Sequence, residues 1–214
     1  MRPRTLLLTS GAVVGAAAGV VAARLLARHS RVEEARYEVV AREGPLEIRE
    51  YAPRLVAETL VEGGFRGSLN EGFRRLAGYI FGGNRRRESI SMTAPVEQHA
   101  ASEKIAMTAP VEQTRREGRW VVSFTMPSKH TRETLPQPLD ERVTLRERPR
   151  TRVAALSFSG WATEPAVERK RAKLAELLRE HRHATAAEPV LAQYDPPWIP
   201  PFLRRNEILA ELAE

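Results

Sequence analysis

The sequence contains no cysteine, which removes disulfides, thiolate metal sites and thiol nucleophiles together. It also lacks a phosphate-cradling glycine loop, a Gly-x-Ser-x-Gly elbow and a His-Glu-x-x-His pair, so no catalytic constellation is written and the chain reads as a non-enzyme. Histidine is scarce. His29 lies beside the N-terminal apolar run, His99 in a polar spacer, and His130 in a turn after Met126-Pro127. His181 and His183 fall at a helix end, where a cation offsets the dipole, and a metal site there needs a third ligand that the sequence does not supply. There is no concentrated basic face either. Of the net charge of +7, residues 1–36 carry +4, through Arg2, Arg4, Arg24, Arg28, Arg31 and Arg36 against Glu33 and Glu34. Arg85-Arg86-Arg87 is too short to make a nucleic-acid footprint, so no nucleic-acid partner is expected.

What is present is a 214-residue chain, 42% hydrophobic and 29% charged, a globular balance with room for one ordinary domain and an appendage. Leu6 to Ala23 is uncharged, and Leu25 and Leu26 extend the run past Arg24. A membrane-spanning helix needs roughly 20 apolar residues and a signal-peptide core about 7–15, so the length favours an anchor over residues 6–26, with a signal sequence as the alternative. Gly11, Gly15 and Gly19 fall four apart, a flat stripe on which two such helices could self-associate. Arginines flank both ends and leave the orientation open, with the extracytoplasmic side favoured for the rest of the chain. Residues 1–36 are thus expected to form an anchor and short linker, and residues 37–214 one folded domain.

The loudest signal is a doubled phrase. Met92-Thr93-Ala94-Pro95-Val96-Glu97-Gln98 recurs as Met107-Thr108-Ala109-Pro110-Val111-Glu112-Gln113, with Ile90 and Ile105 two places before each methionine. Apolar and polar residues alternate with period two, which predicts two strands with one buried and one wet face. The short polar spacer between the copies predicts a hairpin pairing Val96 with Met107 and Met92 with Val111. The prolines place these strands at an edge or kink them near Pro95 and Pro110.

The rest of the chain reads as a duplication. Ile48-Arg49-Glu50 and Leu145-Arg146-Glu147 lie 97 residues apart, and at the same offset Val56-Ala57 matches Val153-Ala154 and Gly63 matches Gly160. In each half two strands joined through proline end at a glycine, a helix follows, then further strands. The first helix is expected to open at Ser68 with a capping box to Glu71, to bury Leu69, Phe73, Leu76 and Ile80, and to stop at Gly82-Gly83. The second starts near Thr163, has Pro165 in its first turn, and fades by His181. Trp120, Val122, Phe124 and Met126 share a strand face, so Met92, Met107 and Met126 are all expected to point into one apolar surface. Two β-β-α-β-β halves predict an α+β domain with a curled sheet inside two helices.

Several phrases resemble the SOUL haem-binding protein family: Tyr79-Ile80-Phe81-Gly82-Gly83-Asn84, both Met-Thr-Ala-Pro-Val copies, Phe124-Thr125-Met126-Pro127-Ser128, and Tyr194-Asp195-Pro196-Pro197-Trp198 with Phe202 to Glu207. The resemblance covers roughly Tyr37 to Leu212. It implies a distorted β-barrel of about eight or more strands with two helices. It also implies binding of haem or related tetrapyrroles in a cleft between the first helix and the proline-rich C-terminal loop, for buffering, transport or transfer. Such a site needs an apolar slot and cations for two propionates. On the outward face of the first helix Arg74, Arg75, Gly78 and Tyr79 could serve, the alternative being an ordinary solvated face. In the loop, Trp198, Ile199 and Phe202 are held among Pro196, Pro197, Pro200 and Pro201, as a cleft wall or as a lid packed on the core. Some family members place a cation where Ile199 stands, and Arg204 or Arg205 would have to compensate. No residue stands out as a strong axial iron ligand. The alternatives are an effector-binding module for another flat apolar ligand, and a haem-modifying enzyme.

Overall fold

The computed structural model describes residues 32–85 and 102–213. The apolar run and its glycine stripe, and the first copy of the doubled phrase, lie outside those residues. Among the described residues no helix is long and apolar enough to cross a membrane. The folded unit begins at Glu33, ahead of the expected boundary at Tyr37, because β1 (Glu33–Glu34) and buried Ala35 belong to it.

The duplication is present in the coordinates. Strands β3 (Leu46–Tyr51) and β4 (Arg54–Val61) share their bounds, shifted by 97 residues, with β10 (Val143–Arg148) and β11 (Thr151–Phe158). Gly63 and Gly160 follow them with φ of 107° and 101°, a left-handed turn that only glycine adopts without strain. Helices α1 (Phe65–Ile80) and α2 (Glu164–Glu180) come next. Each half then closes with a strand pair: β7 (Val111–Arg116) and β8 (Arg119–Thr125), or β12 (Val190–Gln193) and β13 (Asn206–Glu211). With β2 (Tyr37–Glu43) these strands form a nine-stranded sheet in the order β10-β4-β8-β7-β12-β13-β11-β3-β2. The first strand of each half pairs with the second strand of the other. Arg49 faces Val153 across β3–β11, and its counterpart Arg146 faces Val56 across β10–β4. Short β6 (Thr108–Ala109) runs parallel to β1, and β5 (Asn84–Arg85) pairs with β9 (Gln137–Pro138).

Both helices lie on one face of this α+β sheet. Period-two alternation sends Ala57, Val122 and Phe124 under Leu76, Tyr79 and Ile80 of α1, and Leu46, Ile48, Ala154 and Ile208 under Leu174, Leu177 and Leu178 of α2. A fully buried leucine such as Leu174 contributes about 2–5 kcal/mol against its loss to alanine. The opposite face carries Arg49, Glu58, Glu112 and Glu207, all buried although neither α1 nor α2 lies on that side. The sheet itself curls over them. Arg148 on β10 reaches Glu112 on β7, three strands away, at 2.5 Å. In a flat sheet those strands would stand about 14 Å apart at the usual spacing. The polar face is therefore the concave interior of a distorted half-barrel.

Four expectations change. β7 is central, bonded to β8 on one side and β12 on the other, so Val111 faces Phe124 and Gln193 and offers no edge to Met92. Its supposed wet face is buried: Thr108 donates to the Thr125 carbonyl, and Glu112 enters the concave interior. Pro110 interrupts β6 and β7, as a residue without an N–H should, and Met107 before it is 37% exposed rather than in the core. Finally, α1 starts three residues earlier than its capping signature. Gly64 is the N-cap, no side chain caps it, and Ser68 is buried, donating to the Phe65 carbonyl and accepting from Gln113.

Candidate functional site

Helix α1 meets the sheet along Ser68, Gly72, Leu76 and Tyr79, all buried. Gly72 sets this meridian, since a Cβ there would stand 2.5 Å from the Val122 side chain. At 100° per residue the helix then has two distinct flanks. One carries Glu71, Arg75 and Gly78 towards β4, where Arg75 Nη1 donates to the Leu60 carbonyl at 3.0 Å and Nε to Glu71 at 2.9 Å. The other carries Leu69, Phe73 and Ala77 away from β4. Phe73 touches Phe124 edge-on at 5.5 Å yet stays 38% exposed, a large apolar side chain with one face uncovered.

This arrangement sorts the residues expected on α1. Tyr79 does not point outward. It is 2% exposed, and its hydroxyl donates to the Pro136 carbonyl at 2.7 Å. Arg75 is spent on β4 and Glu71. Gly78 is open, with nothing near the position of a Cβ, but on the β4 flank. Arg74 is the surface cation of the set, 75% exposed and, among the described residues, paired with Glu71. Sequence reasoning filed Phe73 with the core stripe and so missed it. The usable signal was that Phe65, Ser68, Gly72, Leu76 and Tyr79 already complete a buried helical face, which leaves Phe73 to one side.

In the C-terminal loop the expectations divide differently. Ile199 is buried, while Trp198 and Phe202 are 67% and 75% exposed and Leu203 is exposed beside them. The loop is stiff. Four prolines fix its backbone, Ile199 and Leu203 close turns onto Pro196 and Pro200, and the Gly160 N–H donates to the Pro201 carbonyl at 2.9 Å. Arg204 is a brace rather than a free cation: it donates to the carbonyls of Ile199 and Pro197 and stacks 4.2 Å over Trp161. Arg205 pairs with Glu34 and lies 3.6 Å over the Tyr194 ring. These bonds tie the loop to the start of α2, and it presents three large apolar side chains to solvent, with Trp161 half exposed alongside. Together these side chains form an exposed apolar patch on a rigid loop.

A SOUL heme-binding protein family model matches residues 32–211, nearly the whole described unit and the loop within it. The chain belongs to the SOUL heme-binding protein family. The SOUL chain is 30% identical over 138 residues to human Heme-binding protein 2, and 28% identical over the same length to the mouse protein. Each alignment covers 64% of this chain and 63% of the relative's length. Among solved structures, the SOUL unit resembles the EcmrR C-terminal domain, with a TM-score of 0.52 at 10% identity over 83% of this chain and 98% of that one. An EcmrR–DNA complex gives 0.54 at 10% identity, covering 79% and 57%. At that identity the likeness is one of fold.

The concave interior of the SOUL unit is chemically different from the helix face. Arg49, 3% exposed in its side chain, donates from both Nη atoms to Glu207 at 2.8 and 2.9 Å, and Glu207 also accepts from Tyr194 Oη at 2.6 Å and Ser157 Oγ at 3.1 Å. Burial alone would raise the Glu207 carboxyl, but the hydrogen bonds from Arg49 and Tyr194 and the charges of Arg49 and Arg205 hold it below its ordinary value. Glu112 behaves alike, with Arg148 and Arg54 outweighing its complete burial. At the far end of the molecule Glu43 on β2 receives His183 at 2.8 Å and lies 3.5 Å from His181, which joins the edge strand to the end of α2. Among the described residues no cluster of three or more ligating side chains is poised for a metal.

Proposed function

We propose that the protein binds haem or a related tetrapyrrole on the apolar surface of the Trp198–Leu203 loop, with the Phe73 flank of α1 as the facing wall, and that it acts in buffering, transport or transfer rather than turnover. The observation carrying this reading is the pair of exposed aromatics, Trp198 and Phe202, on a loop held rigid by prolines and by Arg204, in a chain of the SOUL family. A flat macrocycle needs two apolar faces and cations at one edge. Trp198, Phe202 and Phe73 supply the faces. Arg74 supplies the cation, because its exposed pairing with Glu71 is worth little and is cheaply exchanged for a propionate. Arg75, Tyr79 and Arg204 are assigned to holding the scaffold, and no protein side chain is assigned to the iron. Residues 6–26 tether this domain to a membrane, with the domain on the extracytoplasmic side.

The test is a titration of the full chain in mild detergent with haemin and with iron-free protoporphyrin, using detergent alone as the blank. Saturable binding of both at similar affinity is expected, since apolar contact and propionates are common to the two. Trp198→Ala and Phe202→Ala each weaken binding about tenfold, as losing part of a buried aromatic face predicts. Tyr79→Phe leaves affinity unchanged. Failure of either tetrapyrrole to saturate would remove the reading.

A further inference from the structure

A second cleft, of about 710 Å³, opens at the rim of the concave face and shares no lining residue with the proposed tetrapyrrole surface. Its walls are residues 33–36, the Ala52-Pro53 turn, the segment 125–133 that follows β8, and the end of β10. Four acids lie on the rim, and all are engaged. Glu33 accepts the Ser128 N–H at 2.9 Å, Glu34 pairs with Arg205, Glu147 lies 4.0 Å from Arg132, and Glu133 has a partner of its own.

The floor differs. Arg54 enters it with Nε and Nη1 both buried and, among the described residues, without a hydrogen-bond partner, its guanidinium resting 4.7 Å over the Tyr51 ring. The acid that does most to answer its charge is Glu112, with Glu211 a lesser one, and Arg148 already holds the Glu112 carboxylate directly. Two half-buried guanidinium groups therefore draw on the same acids, Glu112 first and Glu211 after it. His130 lines the same cleft, and its Nε2 is likewise buried and unpartnered. Burial pushes both Arg54 and His130 below their ordinary values, so Arg54 is the cation of the cleft and His130 offers it a neutral imidazole. Buried donors without partners are costly, and where they line one cleft with a guanidinium among them, the chemistry favours an anion. Arg54, Arg148 and Pro149 also line an adjoining cleft of about 450 Å³ with apolar walls at Val153, Val190 and Leu209, which gives a carbon skeleton room beside the anionic group.

We propose that this concave cleft is a binding site for a small oxyanion, the carboxylate or phosphate of a small molecule, gripped by Arg54 with His130 as second donor. It is separate from the tetrapyrrole surface and does not depend on it.

The experiment is calorimetric titration of the full chain, in mild detergent and low-chloride buffer, with inorganic phosphate in one arm and succinate in the other. Saturable heat is expected in at least one arm, which also tells the two anion classes apart. Arg54→Met weakens that binding at least tenfold and leaves haemin affinity unchanged. No saturable heat in either arm, or equal affinity in Arg54→Met, overturns the site. If Arg54→Met lowers Tm, His130→Ala decides: a fivefold loss of anion affinity supports the site, and an unchanged affinity overturns it.

Discussion

Replacing Glu207 by alanine tests the concave network where it is most concentrated. The substitution removes the acceptor of four hydrogen bonds, from Arg49 Nη1 and Nη2, Tyr194 Oη and Ser157 Oγ. Among the described residues Arg49 would keep Glu47, from Nε at 2.9 Å and Nη2 at 2.8 Å, Tyr51 Oη at 3.5 Å and the Tyr37 ring at 4.3 Å, while still 3% exposed. Stripping one partner from a buried ion pair costs about 3–5 kcal/mol, because the other charge stays in the interior. The orphaned Tyr194 hydroxyl adds about 1–3 kcal/mol, less than additively since both act on one carboxylate. A total near 4–6 kcal/mol is a large part of the ~5–15 kcal/mol that holds a domain together. For a unit of this size it lowers Tm by roughly 10–20 °C. Urea unfolding followed by tryptophan fluorescence measures it, with buried Trp120 as the reporter of the core. The double replacement R49M/E207L should recover most of the loss, since it removes both charges at once. A cost below about 1 kcal/mol for Glu207→Ala would refute the claim that this pair is desolvated.

Three further outcomes are expected. Glu207 and Glu112 both titrate below the ordinary carboxyl value of 4.5, so their stabilisation is complete above that pH and is lost as pH falls through their lower folded values. Unfolding free energy measured from pH 6 to 3 should therefore drop at the acid end, with a shallower slope in Glu207→Gln. Gly72→Ala should cost about 1–3 kcal/mol in the same urea assay, because its Cβ meets Val122 at 2.5 Å and α1 has to lift. Tyr79→Phe should cost about 0.5–1.5 kcal/mol, the worth of one hydrogen bond to Pro136, with haemin affinity untouched.

The duplicated strands were legible because each half needs the same turn. Gly63 and Gly160 stand at the same left-handed corner, and the 97-residue offset carries β3 and β4 onto β10 and β11. The doubled phrase misled for a physical reason. Alternation reports which side chains share a face and says nothing of which strand lies alongside, and the partners of β7 are its successor β8 and, from the other half, β12. It also cannot distinguish a wet face from a concave one, so Glu112 was read as solvated. On α1 the apolar stripe Leu69-Phe73-Leu76-Ile80 was visible, but the true contact line runs through Ser68 and Gly72, a polar and a vanishingly small residue. That turn of the helix buries Tyr79 and uncovers Phe73. The loop was half legible: its prolines and aromatics announced a stiff apolar surface, while the bracing role of Arg204 depends on Trp161, forty-three residues away in sequence. The concave ion network was not legible at all, since Arg49 and Glu207 are 158 residues apart and meet only through the curl of the sheet.

The exchange of first strands between halves has a consequence for how such a fold can exist in pieces. A lone β-β-α-β-β unit leaves its opening strand short of a partner, because β3 lies beside β11 with the edge strand β2 on its other side, and β10 lies beside β4. Two copies of the unit, facing each other about a twofold axis, would supply both partners at once. The present chain joins two such units covalently in one open nine-stranded sheet. Cut at the junction near Pro138, its fragments should be obligate partners, each unfolded alone and restored on mixing.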